Sequence, residues 1–221
     1  TVGRINLTYA LTPNGTTRTE YTIVRLAQDE YYCVSAGAWT DYDGDFLRKC
    51  AEDKREEFGW IDIHDVTTQW GVFALAGPNS RKILSEIVKD AAPETVLSNK
   101  RFPWLSMRNI ELGMVPVRAI RVAYTGELGW ELHHPIEMQR HLWDLLMAAG
   151  EKHGMKLVGA RAQNWLRQEK SYRAFGNELG RDATPLEAAL DRFVDLSKDF
   201  QGKEAMLATG IRSKCCTLLI D

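Results

Sequence analysis

The sequence lacks a long apolar run, and it lacks the common phosphate-binding and serine-nucleophile patterns. No segment approaches the ~20 consecutive apolar residues that a membrane-spanning helix requires. Neither a GxxxxGK loop followed by Ser or Thr nor a GxGxxG motif occurs, and a GxSxG elbow is also missing. We therefore expect no membrane association, and the chain carries no nucleotide-binding fingerprint of its own.

An excess of charge of either sign is missing as well. The formal net charge is -2, from 28 Lys and Arg against 30 Asp and Glu, and the basic residues are scattered along the chain. This balance predicts no attraction to nucleic acid or to anionic membrane surfaces. With 44% hydrophobic residues over 221 positions, the chain can form a sizeable core, as one large domain or two small ones.

Cysteine is scarce, and histidine is not arranged for metal binding. The cysteines are Cys33, Cys50, Cys215 and Cys216. One adjacent pair and two isolated residues form neither a disulfide framework nor a zinc pattern, so we expect reduced structural thiols. His133 and His134 are neighbours in a strand-like segment and should point to opposite faces, so we expect no metal site there.

Strand-like and helix-like segments alternate along the chain. Strands are predicted at 4–12, 19–27, 31–36, 59–65, 70–76, 107–112, 116–124 and 130–134. Helices are predicted at 39–57, from 77–80 onward, and at 135–153, 159–171, 185–192 and 202–208. Turn signals such as Pro13-Asn14-Gly15 recur between strands, which favours a largely antiparallel α+β fold over a doubly wound parallel sheet. A strand–strand–helix–strand grouping occurs about twice and predicts two similar units.

One segment, Tyr124–Leu132 (YTGELGWEL), combines an aromatic residue and carboxylates around a tight glycine turn. A glutamate in this segment can accept two N–H donors from a flat heterocycle, and an aromatic ring can stack on the face of that heterocycle. The pattern alone also fits an ordinary hairpin with a solvated glutamate.

Two further segments have simpler explanations when they are taken alone. In residues 159–176, Arg161 and Arg167 lie on a predicted helix, where such charges usually form a solvated face. In residues 182–188, the Thr-Pro dipeptide at 184–185 is typical of a helix start, so capping alone explains it.

Taken together, these segments resemble the glycine-cleavage T-protein family, and especially the folate domains fused to dimethylglycine and sarcosine dehydrogenases. The matching segments are YTGELGWELH (124–133), GARAQNWLRQEKSYRAFGNEL (159–179), TPLEAAL (184–190) and DFQGKEAM (199–206). Weaker matches are NGTTRTEYTIVRL (14–26), VSAGAWTDYD (34–43) and FALAGPNSRKIL (73–84). The segments occur in the family's order and spacing over nearly the whole chain.

The resemblance implies two ferredoxin-like sheet-and-helix units around a central folate pocket. Residues 1–213 would form an N-terminally incomplete folate-binding domain, and residues 214–221 would begin the first strand of a C-terminal β-barrel. Because both ends run directly into strand-like sequence, we expect the chain to be a piece of a longer polypeptide.

The resemblance assigns a catalytic carboxylate to Glu20, at the end of the segment Gly15–Glu20. The family usually has Asp at this position. The additional methylene of Glu20 shifts the carboxylate by about 1 Å, and a misplacement of that size can cost about 100-fold in rate. The resemblance therefore implies a catalytic residue with altered efficiency or substrate.

The folate-binding residues that the resemblance implies lie in several segments. Tyr124 would line the pterin ring, and Glu131 would accept hydrogen bonds from its amino and ring N–H groups. The remaining folate-binding candidates are Arg167, Phe175, Tyr21 and Trp39.

The activity implied is tetrahydrofolate-dependent one-carbon transfer. The methylene of an N-methyl amine, dimethylglycine or sarcosine, would be captured from its iminium as 5,10-methylenetetrahydrofolate. The FAD that oxidises the amine would be bound by a separate upstream flavin domain of the same polypeptide or complex. Alternatives are a glycine-cleavage aminomethyltransferase, a folate-dependent demethylase and a non-catalytic folate-binding scaffold. The expected compartment is a bacterial cytoplasm or a mitochondrial matrix.

Overall fold

The computed structural model describes residues 1–219 of the chain. Its strands are β1 (Ile5–Leu11), β2 (Thr17–Arg25), β3 (Tyr31–Val34), β4 (Trp70–Ala76), β5 (Met107–Leu112), β6 (Val115–Ile120) and β7 (Gly129–Pro135). Its α-helices are α1 (Thr40–Asp53), α2 (Arg55–Phe58), α3 (Ser80–Ile87), α4 (Pro93–Val96), α5 (Gln139–Glu151), α6 (Ala160–Glu169) and α7 (Lys203–Thr209). Within residues 1–219, no helix has the length and apolar composition needed to cross a membrane.

The strands form two sheets, and the chain divides into two compact units. Unit 1 comprises Thr1–Asn6, Val24–Tyr32 and Asp65–Lys170, and unit 2 comprises Leu7–Ile23, Cys33–His64 and the described residues from Ser171 onward. One sheet has the order β1-β2-β3, and the other has the order β4-β7-β6-β5. Each of β1, β2 and β3 contributes residues to both units.

In unit 1, one face of the four-stranded sheet packs against α3 and α5. Strand β7 pairs antiparallel with β4 and with β6. Leu75, Trp130 and Leu132 point from the sheet into a large apolar cluster that Leu84 of α3 and Leu142 of α5 complete. Burial of apolar side chains of this size contributes about 1.5–3 kcal/mol each, so this cluster is the main stabilising feature of unit 1.

The opposite face of the same sheet carries Glu131, because side chains alternate along a strand. Ala74 and Ile120 lie directly across from Glu131 on the two neighbouring strands. Ile120 belongs to a second, smaller apolar cluster with Ile5 and Val24. This face therefore combines an apolar patch with the carboxylate that the sequence singled out.

The antiparallel α+β architecture predicted from the sequence is confirmed, but the ferredoxin-like connectivity of unit 1 was wrong. A ferredoxin-like unit runs β-α-β-β-α-β. Here β5, β6 and β7 follow one another as an antiparallel meander before α5 begins. The difference lies between β6 and β7, where residues 121–128 form turns and bends instead of a helix and β7 pairs antiparallel with β6.

Three local predictions differ from the structure. Residues 59–65 form no strand; Trp60 and Ile61 are exposed, and among residues 1–219 no strand pairs with this segment. Residues 185–192 form turns and a short 3-10 helix, because Ala189 adopts a φ of 58° that stops an α-helix. Residues 214–219 are irregular, and the last two residues of the predicted barrel strand lie outside the described residues.

In unit 2, the turn between β1 and β2 packs against the start of α7. Gly15 has a φ of 79°, and a side chain there would meet the backbone of Met206. A side chain at Gly202, which has a φ of 80°, would meet the Thr12 carbonyl oxygen and the backbone of Gly15. The Gln201 side-chain amide donates to the Leu11 carbonyl at 2.7 Å. The segments 14–26 and 199–206, which are far apart in the sequence, are therefore in direct contact.

Candidate functional site

Glu131 is a partly exposed carboxylate on the face of the unit 1 sheet that lies opposite the large apolar cluster. It lies in the centre of β7, and its side chain is 31% exposed. One carboxylate oxygen lies 3.4 Å from Nε2 of His133, two residues along the same face of the strand. A carboxylate has lone pairs for several donors, so Glu131 can accept further hydrogen bonds while it contacts His133.

His133 connects Glu131 to an aromatic residue that the sequence did not single out. The imidazole is fully buried, and its Nδ1 lies 3.1 Å from the hydroxyl of Tyr32, with the two rings edge to face. The Arg118 guanidinium lies 4.2 Å from the centre of the Trp70 ring and 5.0 Å from that of Tyr32. Strand alternation could have identified His133 from the sequence, but nothing in the sequence indicated Tyr32.

His134 points to the opposite face, as the sequence predicted. Its ring stacks on Phe73 with centroids 4.9 Å apart, and its Nδ1 lies 2.9 Å from the Leu132 carbonyl oxygen. The prediction that the two adjacent histidines diverge is therefore confirmed.

The glycine turn before β7 has the positive φ that glycine adopts readily. Gly126 has a φ of 73°, and a side chain there would collide with the aliphatic part of Lys170 at the end of α6. Tyr124, the predicted pterin-lining residue, lies in this loop and is 37% exposed. The turn and the end of α6 are therefore packed directly against each other.

Arg167 is buried, whereas the helix pattern alone predicted a solvated charge. Only 2% of the residue is exposed, and its Nε and Nη2 donate to Asn164 Oδ1 at 2.9 and 2.8 Å. A guanidinium is buried only where hydrogen bonds or opposite charges compensate its desolvation. Arg161 and Glu169 on the same helix are exposed, so the solvated-face interpretation holds for them.

In unit 2, Glu20 and Tyr21 lie next to each other near the centre of β2. Burial raises the pKa of the Glu20 carboxyl above its ordinary value. The Tyr21 side chain is buried, with its hydroxyl 3.5 Å from the Asp43 carbonyl oxygen. Burial, followed by the charge of Asp43, also raises the pKa of Tyr21. Glu20 therefore holds its proton at higher pH than a solvated glutamate.

The structure brings two of the predicted folate residues of unit 2 together. The rings of Trp39 and Phe175 meet edge to face, with centroids 5.9 Å apart. Trp39 also contacts the Tyr42 ring at 5.8 Å and is 42% exposed. Arg18 lies over the Tyr42 ring at 4.0 Å. These contacts form an aromatic cluster with one partly exposed indole.

The Thr-Pro segment of unit 2 forms a capping box and also holds the chain after α7. The Thr184 N–H donates to a Glu187 carboxylate oxygen at 2.9 Å, and the Glu187 N–H donates to the Thr184 hydroxyl at 3.2 Å. The Arg212 guanidinium donates to both carboxylate oxygens of Glu187, at 2.7 and 2.8 Å. Hydrogen bonds from Arg212 and Thr184 lower the pKa of Glu187 to about 2.

The predicted site residues therefore fall into two groups. Tyr124, Glu131 and Arg167 belong to unit 1. Glu20, Tyr21, Trp39 and Phe175 belong to unit 2. Two depressions in unit 1, of about 620 and 390 Å³, are lined by none of them. The larger depression lies between Val88 and Pro116, and the smaller one is next to Trp70 and Pro135.

Comparison with known proteins finds relatives that match this chain along nearly its whole length. The chain is 36% identical to human mitochondrial dimethylglycine dehydrogenase over 227 residues, which cover all of this chain and 25% of that protein. It is 32% identical to mouse mitochondrial sarcosine dehydrogenase over 232 residues, which cover 97% of this chain and 24% of that protein. The chain thus spans about a quarter of the length of these dehydrogenases.

A solved structure has the same fold. The glycine cleavage system aminomethyltransferase T from Bartonella henselae superposes with a TM-score of 0.73 and 24% identity, covering 95% of this chain and 53% of that one. Residues 1–198 match the family model described as the GCVT N-terminal domain. Because that match covers most of the sequence, the chain belongs to the GCVT N-terminal domain family.

Proposed function

We propose that this chain binds tetrahydrofolate and transfers a one-carbon unit, capturing the methylene of an N-methyl amine as 5,10-methylenetetrahydrofolate. The amine would be dimethylglycine or sarcosine. The observation that carries the proposal is the family match over residues 1–198, together with identity to the two dehydrogenases along nearly the whole chain. Their names state the amines on which those proteins act.

The residues present suit a reduced pterin. Such a ring offers amino and ring N–H donors, and the Glu131 carboxylate is a partly exposed acceptor on a sheet face that also carries apolar side chains. Tyr124 and Trp39 are partly exposed aromatic residues that can stack on a flat ring. When bound, tetrahydrofolate would supply the N5 and N10 nitrogens that take up the carbon.

The role proposed for Glu131 is to accept hydrogen bonds from the pterin N–H groups. A charged acceptor forms stronger hydrogen bonds than a neutral one, about 1.5–3 kcal/mol each. Arg167 is proposed to support the folate-binding region through its buried hydrogen bonds, and the Trp39–Phe175 pair to supply an apolar wall.

The role proposed for Glu20 is to hold or move a proton near the reacting nitrogen. Its pKa is raised by burial, which brings the carboxyl closer to the range in which it exchanges a proton at physiological pH. As an ionised group it can also stabilise a cationic one-carbon species. Tyr21 follows Glu20 in β2 and points to the other face of the strand, so its proposed folate contact would be separate from that of Glu20.

Oxidation of the amine is proposed to take place outside this chain. The two dehydrogenases are about four times as long as the matched region, which leaves room for an FAD domain in the same polypeptide or complex. Both are described as mitochondrial, so a mitochondrial matrix is one proposed compartment, and a bacterial cytoplasm is the other.

Tetrahydrofolate titration by calorimetry tests the proposal. We expect Glu131→Ala to weaken binding at least tenfold, because the variant loses a charged acceptor. Glu127→Ala is the matched control; it lies in the same motif but is exposed, and it should bind as the unsubstituted protein does. Equal affinity in all three proteins would remove Glu131 from the site. Absence of binding by the unsubstituted protein would refute the proposed function.

One second candidate is an aminomethyltransferase of glycine cleavage, which the family match over residues 1–198 supports. Assays of the intact protein separate the candidates. Formation of methylenetetrahydrofolate from dimethylglycine or sarcosine supports the first candidate, and formation from an aminomethyl-loaded carrier protein supports the second. Folate binding with no turnover of either donor would instead favour a non-catalytic module.

A further inference from the structure

We propose that Tyr32, His133 and Arg118 act as positioning residues that fix the orientation of the Glu131 carboxylate toward the pterin. This inference rests on the proposed function, because it concerns the same carboxylate. It adds a hydrogen-bond chain that runs from Tyr32 through His133 to Glu131. It also adds the Arg118 cation, which restrains the ring of Tyr32.

The position of the protons follows from the chemistry of the partners. An ionised carboxylate only accepts hydrogen bonds, so the contact between Glu131 and Nε2 of His133 requires a proton on Nε2. In a neutral imidazole, Nδ1 is then the acceptor, and the Tyr32 hydroxyl must donate to it across 3.1 Å. The chain therefore has one consistent direction, from Tyr32 through His133 to Glu131.

Tyr32 is suited to the donor role. Burial raises the pKa of its hydroxyl, an effect that Glu131 reinforces and Arg118 opposes, so Tyr32 keeps its proton. A hydroxyl that donates to Nδ1 selects the Nε2–H tautomer of His133. Without that donor, only the long contact with the Glu131 carboxylate at 3.4 Å favours a proton on Nε2.

Arg118 holds the aromatic end of the chain. It lies opposite His133 in the β6–β7 register, and its guanidinium contacts the faces of the Trp70 and Tyr32 rings. Cation–π contacts of this kind are worth about 0.5–2 kcal/mol and restrict the orientation of the ring. The Tyr32 hydroxyl is thereby kept in line with Nδ1.

The geometry leaves the carboxylate able to respond to a ligand. The distance of 3.4 Å between Glu131 and His133 is long for a hydrogen bond, and such contacts often tighten when a ligand binds. The 31% exposure of the Glu131 side chain contrasts with the complete burial of the His133 side chain behind it. His133 can thus orient Glu131 without contacting the ligand itself.

The first test measures the tautomer of His133 without any ligand. In protein labelled with ¹⁵N at histidine, the His133 signals should report the Nε2–H tautomer, and Tyr32→Phe should shift the tautomer population. Tyr31→Phe, at the adjacent exposed tyrosine, is the matched control and should leave the signals unchanged. An Nδ1–H tautomer in the unsubstituted protein would overturn the inference and leave the proposed function intact.

The second test measures tetrahydrofolate affinity by calorimetry in the same variants. We expect about a tenfold loss for Tyr32→Phe, which removes one orienting hydrogen bond, and a larger loss for His133→Leu. His133→Gln should recover part of that loss, because its amide can still donate to Glu131. His141→Gln, at an exposed histidine, is the control and should not change the affinity.

The outcomes separate the inference from the proposed function. Weakened binding in Glu131→Ala with unchanged binding in Tyr32→Phe and His133→Gln would overturn the positioning role alone. Failure of the unsubstituted protein to bind tetrahydrofolate would overturn both, even if the tautomer were as expected. Because Tyr32→Phe is nearly isosteric, its result remains interpretable even if His133→Leu does not fold.

Discussion

In unit 1, the four-stranded sheet packs against α3 and α5 through a large apolar cluster. In unit 2, the described contacts include a small apolar cluster, a close approach of two backbone segments and an ion pair. Its apolar cluster is small, with Leu179, Ala188 and Leu190 at its centre. Other described contacts of unit 2 are the close approach of Gly15 to Gly202 and the ion pair of Glu187 with Arg212. Stability should therefore depend on side-chain volume in unit 1, and on backbone fit and protonation in unit 2.

The largest effect is expected from Leu132→Ala, in the core of unit 1. Leu132 is fully buried in the large cluster, and truncation of such a residue costs about 3–5 kcal/mol through lost burial and the cavity left behind. Urea denaturation measures the change in the free energy of unfolding. Val72→Ala, on the exposed face of the neighbouring strand, should change it by less than about 0.5 kcal/mol. Comparable losses in both variants would contradict the volume dependence of unit 1.

A smaller effect is expected from Gly202→Ala, in unit 2. The added methyl group would lie 2.9 Å from the Gly15 Cα, and the residue would keep an unfavourable positive φ. Overpacking and backbone strain together should cost about 2–3 kcal/mol. Gly154→Ala isolates the backbone term, because Gly154 also has a positive φ of 69° at the end of a helix but no atom near its missing side chain, and it should cost about 1 kcal/mol. If the two variants lost the same stability, close approach would not matter in unit 2.

The clearest pH dependence is expected from Glu187→Gln. The pKa of Glu187 is lowered from 4.5 to about 2 by Arg212 and Thr184, so the charged carboxylate stabilises the folded state. That contribution is complete above pH 4.5 and is lost as the pH falls toward 2. Thermal unfolding across this range should therefore show the unsubstituted protein approaching the variant. Glu57→Gln, which removes an exposed ion pair with Lys54, should have little effect at neutral pH. A constant difference between Glu187→Gln and the unsubstituted protein across the range would argue against the ion pair.

Strand periodicity predicted the part of the site that depends on local geometry. Alternation along 130–134 was enough to separate His133 from His134, and the turn motif located Gly126. The sequence could not predict that Tyr32 meets His133, since the two lie 101 positions apart and nothing in either segment specifies the other. The burial of Arg167 was missed for the same reason, because its surroundings depend on tertiary packing.

Local composition also gave two wrong predictions, a strand at 59–65 and a helix at 185–192. Residues 59–65 are strand-like in composition, but a strand needs a neighbour, and the described residues provide none. The capping box at Thr184 and Glu187 is present, yet no α-helix follows, because Ala189 takes a left-handed conformation. A helix start signal therefore specifies the first turn without specifying its continuation.

The two faces of β7 carry different kinds of side chain, and this has a consequence for insertions and deletions. Trp130, Leu132 and His134 occupy the side of the strand that meets the helices, and Glu131 and His133 occupy the other. Removing a single residue near the centre of β7 would exchange these two sets downstream of the deletion, turning the His133 imidazole toward the hydrocarbon cluster and the His134 imidazole toward the opposite face. Length variation should consequently be confined to the loops that flank this strand.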